Sequence, residues 1–105
     1  MMHKELEQFI LSMPGSRLDY PFDETTAVYR AENDKLFALI AENSNPLRLS
    51  LKIDPQLGEL LRKKYESVMP GYHLNKKHWI TILVTGQLTD QEIRDLIRHS
   101  FELVK

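Results

Sequence analysis

Leu47-Arg48-Leu49-Ser50-Leu51-Lys52-Ile53 runs directly into Asp54-Pro55, and this stretch decides the fold class. Leu47, Leu49, Leu51 and Ile53 point one way while Arg48, Ser50 and Lys52 point the other, which is the period-two pattern of a strand. One face of the sheet is therefore dry and the other wet. A sheet covered on a single face favours antiparallel pairing, because parallel sheets are normally buried on both sides. Asp54 reads as a helix N-cap and Pro55 as the first helical position, where its missing N–H costs no hydrogen bond.

Working outward, Leu57, Leu60 and Leu61 form the buried stripe of that helix, and Arg62-Lys63-Lys64 places cations in its last turn, where they suit the helix dipole without any ligand. Upstream, Thr26 to Ala31 and Lys35 to Glu42 flank the polar turn Glu32-Asn33-Asp34 and read as a hairpin. Leu6, Phe9, Ile10 and Met13 keep helical spacing until Pro14-Gly15 stops the helix. Ser16 to Thr25 reads as irregular, with Tyr20 and Phe22 plugging the core edge from a Pro-restricted segment. Downstream, a polar loop from Glu66 to Lys77 leads into a strand from His78 to Val84. Thr89 and Glu92 then fit a capping box, and Ile93, Leu96, Ile97, Phe101 and Val104 mark a docked C-terminal helix.

At 105 residues the chain reads as one domain, 1–105, and size scaling gives a folded surface of about 6,100 Å². Hydrophobic and charged shares of 42% and 28% exclude a disordered or collagenous chain. No apolar run approaches the roughly 18 residues of a membrane helix, and Met1-Met2-His3-Lys4-Glu5 is no signal-peptide start. The absence of cysteine removes disulfides, thiol nucleophiles and zinc knuckles. These features predict a soluble cytoplasmic domain with no membrane partner. Charge is uneven: residues 1–47 carry a net −4, residues 48–84 a net +4 and the remainder −1. A pI of 6.4 argues against an indiscriminate polyanion binder but leaves room for a local basic surface.

Pro70-Gly71-Tyr72-His73-Leu74-Asn75-Lys76-Lys77-His78-Trp79-Ile80-Thr81 is the most distinctive stretch. With Ile80, Ile82 and Val84 on the core face, Trp79 and Thr81 fall on the wet face. There the indole suits stacking on a base, covering a lysine stem or anchoring a protein partner. Alternatively, a terminal helix covers it or it caps the sheet edge. The block also suits architecture alone: Pro70 and Gly71 shape a turn, and Asn75 and a His78 ring nitrogen satisfy backbone groups, while Lys76 and Lys77 point into water. His73 and His78 raise a metal site, but structural zinc takes four ligands and catalytic zinc usually three, and no carboxylate lies between Pro70 and Thr81. Loop histidines bonded to backbone carbonyls are the simpler expectation. No G-x-S-x-G, H-E-x-x-H, Walker loop or dinucleotide fingerprint is present, and the carboxylates are spread singly. Neither catalytic residues nor a cofactor are expected.

Pro14-Gly15, Tyr20-Pro21-Phe22, Lys35-Leu36-Phe37-Ala38, Leu51-Lys52-Ile53-Asp54-Pro55, the Pro70 to Trp79 block, Ser100 and Leu103-Val104 together resemble the MmcQ/YjbR-like family of small bacterial proteins. The chain departs from the family pattern at Asp23, where glycine is usual, and at Ile80, where a polar residue is more common. The resemblance implies an α+β domain, a two-layer sandwich in the order α-β(3)-α-β(2)-α with helices on one face of an antiparallel sheet. One further strand is expected within Val68 to His73. Family members are similar in shape to secretion chaperones and frataxin-like proteins, and are described as DNA-binding proteins with a double-wing arrangement.

The leading expectation is a non-enzymatic module that binds DNA weakly and without sequence preference. Asn75, Lys76 and Lys77 would meet phosphates, Tyr72, His78 and Trp79 would stack or position, and Arg48 and Lys52 would extend the patch. Likeness to secretion chaperones implies the alternative, a protein-interaction or homodimerisation domain using the Trp79 face. Iron binding of the frataxin type follows only from shape, and Glu5 and Glu7 offer too few oxygen ligands for it. No tight metal site is expected.

Overall fold

The computed structural model describes residues 1–105 in the order α1 (His3–Leu11), β1 (Arg17–Asp19), β2 (Thr26–Arg30), β3 (Leu36–Ala41), β4 (Arg48–Lys52), α2 (Pro55–Lys64), β5 (Val68–Pro70), β6 (Trp79–Leu83) and α3 (Asp90–Val104). The strands form one antiparallel sheet in the order β1-β2-β3-β4-β6-β5. The accessible surface of the whole chain is 5966 Å², close to the value expected from size.

The alternation in β4 does what the sequence implies. Leu49 pairs with Ile40 and Ile82, and Leu51 with Ala38 and Ile80, so all these side chains share the face that meets the helices. They join Leu6 and Ile10 of α1 and Ile93, Leu96, Ile97, Phe101 and Val104 of α3 in one core, with Leu57 and Leu61 of α2 against its border. Phe37 and Phe101 meet edge to face at 5.3 Å. The helix signals also hold. Asp54 accepts from the Leu57 N–H at 3.1 Å, and Thr89 and Glu92 close a capping box on α3.

Four expectations change. Leu60, placed in the buried stripe of α2, is 63% exposed, whereas Leu57 and Leu61 pack against the core. The segment from Ser16 to Thr25 is not wholly irregular: β1 is a three-residue edge strand paired to β2, too short to show alternation. Tyr20 and Phe22 do not plug the core, because they are 40% and 66% exposed. The face away from the helices is not uniformly wet either. Val28, Leu39 and Trp79 form a second, small apolar cluster there, with Leu36 and Leu74 packed against it. The strand expected within Val68 to His73 is β5, and the hairpin turn is present with Asp34 at φ 74°.

Candidate functional site

Arg48, Ser50 and Lys52 project from β4 onto the open face of the sheet, as alternation requires. Two loops flank this face. One carries Phe22 and Asp23 and leads into β2; the other is the β5–β6 connection carrying Tyr72, His73 and Leu74. Between them lies a cavity of about 400 Å³, lined by Leu39, Ala41, Thr26, Arg48 and Ser50 together with those loop residues.

Local chemistry holds each wall in place. Asp23 accepts from the N–H groups of Thr25 and Thr26 at 2.9 and 2.7 Å and from the Thr26 hydroxyl at 3.0 Å. Chiefly the Thr25 N–H, then the Thr26 hydroxyl, keep its carboxyl below the usual aspartate range, so it stays anionic at the cavity wall. On the other side Thr81 Oγ1 accepts from the Tyr72 N–H at 2.9 Å and shares a 2.8 Å hydrogen bond with Ser50. The Arg48 guanidinium lies 4.4 Å from the centre of the Tyr72 ring, and its Nε is buried without a hydrogen-bond partner. His73, at φ 58°, turns its ring against Tyr72 at 4.1 Å. A cavity lined half by apolar side chains, with a few convergent polar groups, has the usual form of a small-ligand site.

Of the residues nominated from sequence, Arg48 and Tyr72 line the cavity. Trp79 lies on the open face, as its register implies, but it is only 7% exposed beneath Leu74, so it has no free ring face for a ligand. The cover is its own loop, not a terminal helix. Lys52 Nζ stands 5.8 Å above the same indole. Asn75 Oδ1 accepts from the Lys77 and His78 N–H groups at 2.9 and 3.0 Å. Its amide thus works inside the loop. Lys76 Nζ donates to the Gly71 carbonyl rather than pointing into water.

Lys77 and His78 are exposed. Neither histidine ring of the block bonds a backbone carbonyl; His78 serves the fold through its own carbonyl, which accepts from the Ile53 N–H at 2.9 Å. Sequence reasoning missed Phe22, Asp23, Ser50 and His73 as wall residues. A phenylalanine beside proline in an irregular segment was the available signal, since nothing required its burial. Metal-ligating side chains do not gather in the block; the group of three that comes together is His3, Glu7 and Glu42.

A six-stranded antiparallel sheet with helices on one face and a loop-flanked cavity on the other defines a two-layer α+β protein with an open sheet face. Residues 11–103 match the YjbR protein-family model. The chain is 37% identical over 102 residues to the uncharacterised Escherichia coli K12 protein YjbR, covering 97% of this chain and 86% of that protein. It is 32% identical to the uncharacterised Bacillus subtilis protein YyaQ, covering 87% of each. The chain belongs to the YjbR family. A crystal structure of a Deinococcus radiodurans protein with the DUF419 domain superposes with a TM-score of 0.91 at 39% identity, covering 96% of this chain and 76% of that one. A crystal structure of a Pseudomonas syringae protein gives 0.84 at 33% identity, covering all of both chains. No helix is long and apolar enough to cross a membrane.

Proposed function

We propose that the protein is a non-enzymatic binding module whose open sheet face takes nucleic acid weakly and without sequence preference, one unstacked base entering between Phe22 and Tyr72. The observation that supports this most is the 400 Å³ cavity with an exposed aromatic on each side and a guanidinium stacked on one of them. Base–aromatic stacking tolerates any sequence, because every base has a π face. Arg48 and Lys52 on β4 and Lys77 on the loop supply charge for phosphates, while Asn75, Lys76 and Trp79 maintain the loop. A site shaped for one ring favours single strands, since a duplex must first unstack and unpair a base. Net charge of −1 and Asp23 in the wall keep the electrostatic contribution small. Affinity is accordingly expected near ~10⁻⁴ to 10⁻⁶ M at physiological salt.

Fluorescence anisotropy with labelled single-stranded DNA, single-stranded RNA and duplex DNA tests this. Wild type should bind single strands more tightly than duplex at low salt. Phe22→Ala should weaken binding about 5- to 150-fold, the range that corresponds to one lost base stack. Arg48→Ala should lower the salt slope by about 0.7, as for one phosphate contact. No binding at low salt, or wild-type binding by both variants, overturns the proposal.

The exposure of Phe22 beside Tyr72 also supports a second reading, in which the same face meets a protein partner or a second copy of the chain. Sedimentation velocity distinguishes the two. A dimer that resists high salt and is lost in Phe22→Ala favours protein contact, whereas a monomer at all salt concentrations counts against self-association.

A further inference from the structure

At the edge of the helical layer, a group of side chains gathers that the open face does not use. His3 and Glu7 stand four residues apart on α1 and so share one helix face. Glu42 follows directly after β3, and the ligating atoms of the three lie within 4.8 Å of one another. His3 Nε2 is 3.0 Å from Glu42 Oε2, yet it makes no well-formed hydrogen bond and is buried at the atom level. A second such atom lies beside it. Tyr29 on β2 is 0% exposed, and its hydroxyl, which faces Glu7 and Glu42, makes no well-formed hydrogen bond. Tyr20 adds a hydroxyl that donates to Glu42 Oε2 at 2.8 Å.

Buried polar atoms are almost always well partnered, so an imidazole nitrogen and a phenol that converge on two carboxylates without a well-formed hydrogen bond need an explanation. We propose that His3, Glu7 and Glu42 bind one first-row divalent cation, with the Tyr29 hydroxyl supporting the liganded carboxylates from the sheet.

Geometry, charge and donor type agree on this. Around an ion with bonds of about 2.0–2.2 Å, two ligand atoms stand up to ~4.4 Å apart, so small side-chain rotations close the observed set. No lysine or arginine pairs with Glu7 or Glu42, whose only ionic neighbour is His3, leaving a local charge suited to a dication. One imidazole with two carboxylates favours Mn(II), Fe(II), Co(II) or Zn(II) over Mg(II) and Ca(II), which take all-oxygen sites. The chain has no cysteine to compete for the softer of these ions. Three protein ligands leave at least one position for water or a small anion. Counting candidate ligands within one segment misses this site, because α1 and the end of β3 meet only in the folded chain.

Titration calorimetry of tag-free protein with Zn²⁺ and with Mn²⁺, alongside Ca²⁺, tests the inference. Binding of one ion per chain is expected, with Ca²⁺ at least about tenfold weaker than Zn²⁺. Removing one ligand in His3→Ala or Glu42→Gln should cost at least about tenfold in affinity, and Tyr29→Phe about tenfold as a supporting group. A thermal melt supplies the second readout: Zn²⁺ should raise the wild-type midpoint and leave those of the ligand variants unmoved. Circular dichroism verifies that each variant is folded, and Glu7→Gln replaces any that is not. Absence of saturable binding, affinity unchanged in both ligand variants, or binding lost instead in His73→Ala would overturn it.

Discussion

Gly71 packs directly against Trp79: its N–H donates to the Trp79 carbonyl at 3.0 Å, and a β-carbon at Gly71 would stand 2.6 Å from Trp79 Cβ. Leu74 Cβ and the Trp79 backbone crowd the same point at 3.1 and 3.3 Å, so there is no flexible side-chain end to move aside. Gly71→Ala should therefore destabilise by about 1–3 kcal/mol, as for other overpacked sites. Urea denaturation measures this. A neutral result would mean that the loop slides off the indole at little cost.

Asn75 and its neighbours divide differently from what residue type suggests. Asn75→Ala removes the acceptor for two loop N–H groups and should cost roughly 1 kcal/mol. Lys77→Ala and His78→Ala, whose side chains bond nothing in the fold, should stay within about 0.5 kcal/mol. Chemical denaturation of the three variants checks the order.

Thr81 is fully buried and links the open face to the loop. Its hydroxyl partners both Ser50 and the Tyr72 N–H, so Thr81→Val leaves two polar groups without a mate while keeping the side-chain shape. The expected loss is about 1–3 kcal/mol. Ser50→Ala removes one partner only and should cost less. If the proposed function is right, Thr81→Val also weakens single-strand binding, because Tyr72 loses its anchor.

Asp23 gives a pH signature of definite sign. Its folded carboxyl titrates below the ordinary value of 3.8, so its contribution is present above that pH and is lost as pH falls through the lowered folded value. Asp23→Ala should be less stable than wild type at neutral pH, and the gap should narrow on acidification below 3.8. Denaturation midpoints across an acid series read this directly. A gap that persists unchanged into acid would assign the effect to packing rather than charge.

What was legible in the sequence was whatever a few neighbouring residues decide among themselves. Alternation from Leu47 to Ile53 sorts side chains by face, and Asp54-Pro55 and Thr89 to Glu92 satisfy helix-end N–H groups within one turn, so these signals survive without knowledge of the rest of the chain. Trp79 shows where that logic stops. Its register puts it on the open face, but its burial depends on Leu74 folding back over it, and period-two patterning contains no information about a loop's return path. The cavity and the His3–Glu7–Glu42 cluster lie beyond local patterning for the same reason. Phe22 and Tyr72 face one cavity, and His3 meets Glu42, only because strand register and helix docking bring distant segments together, and those are set by the packing of the whole core.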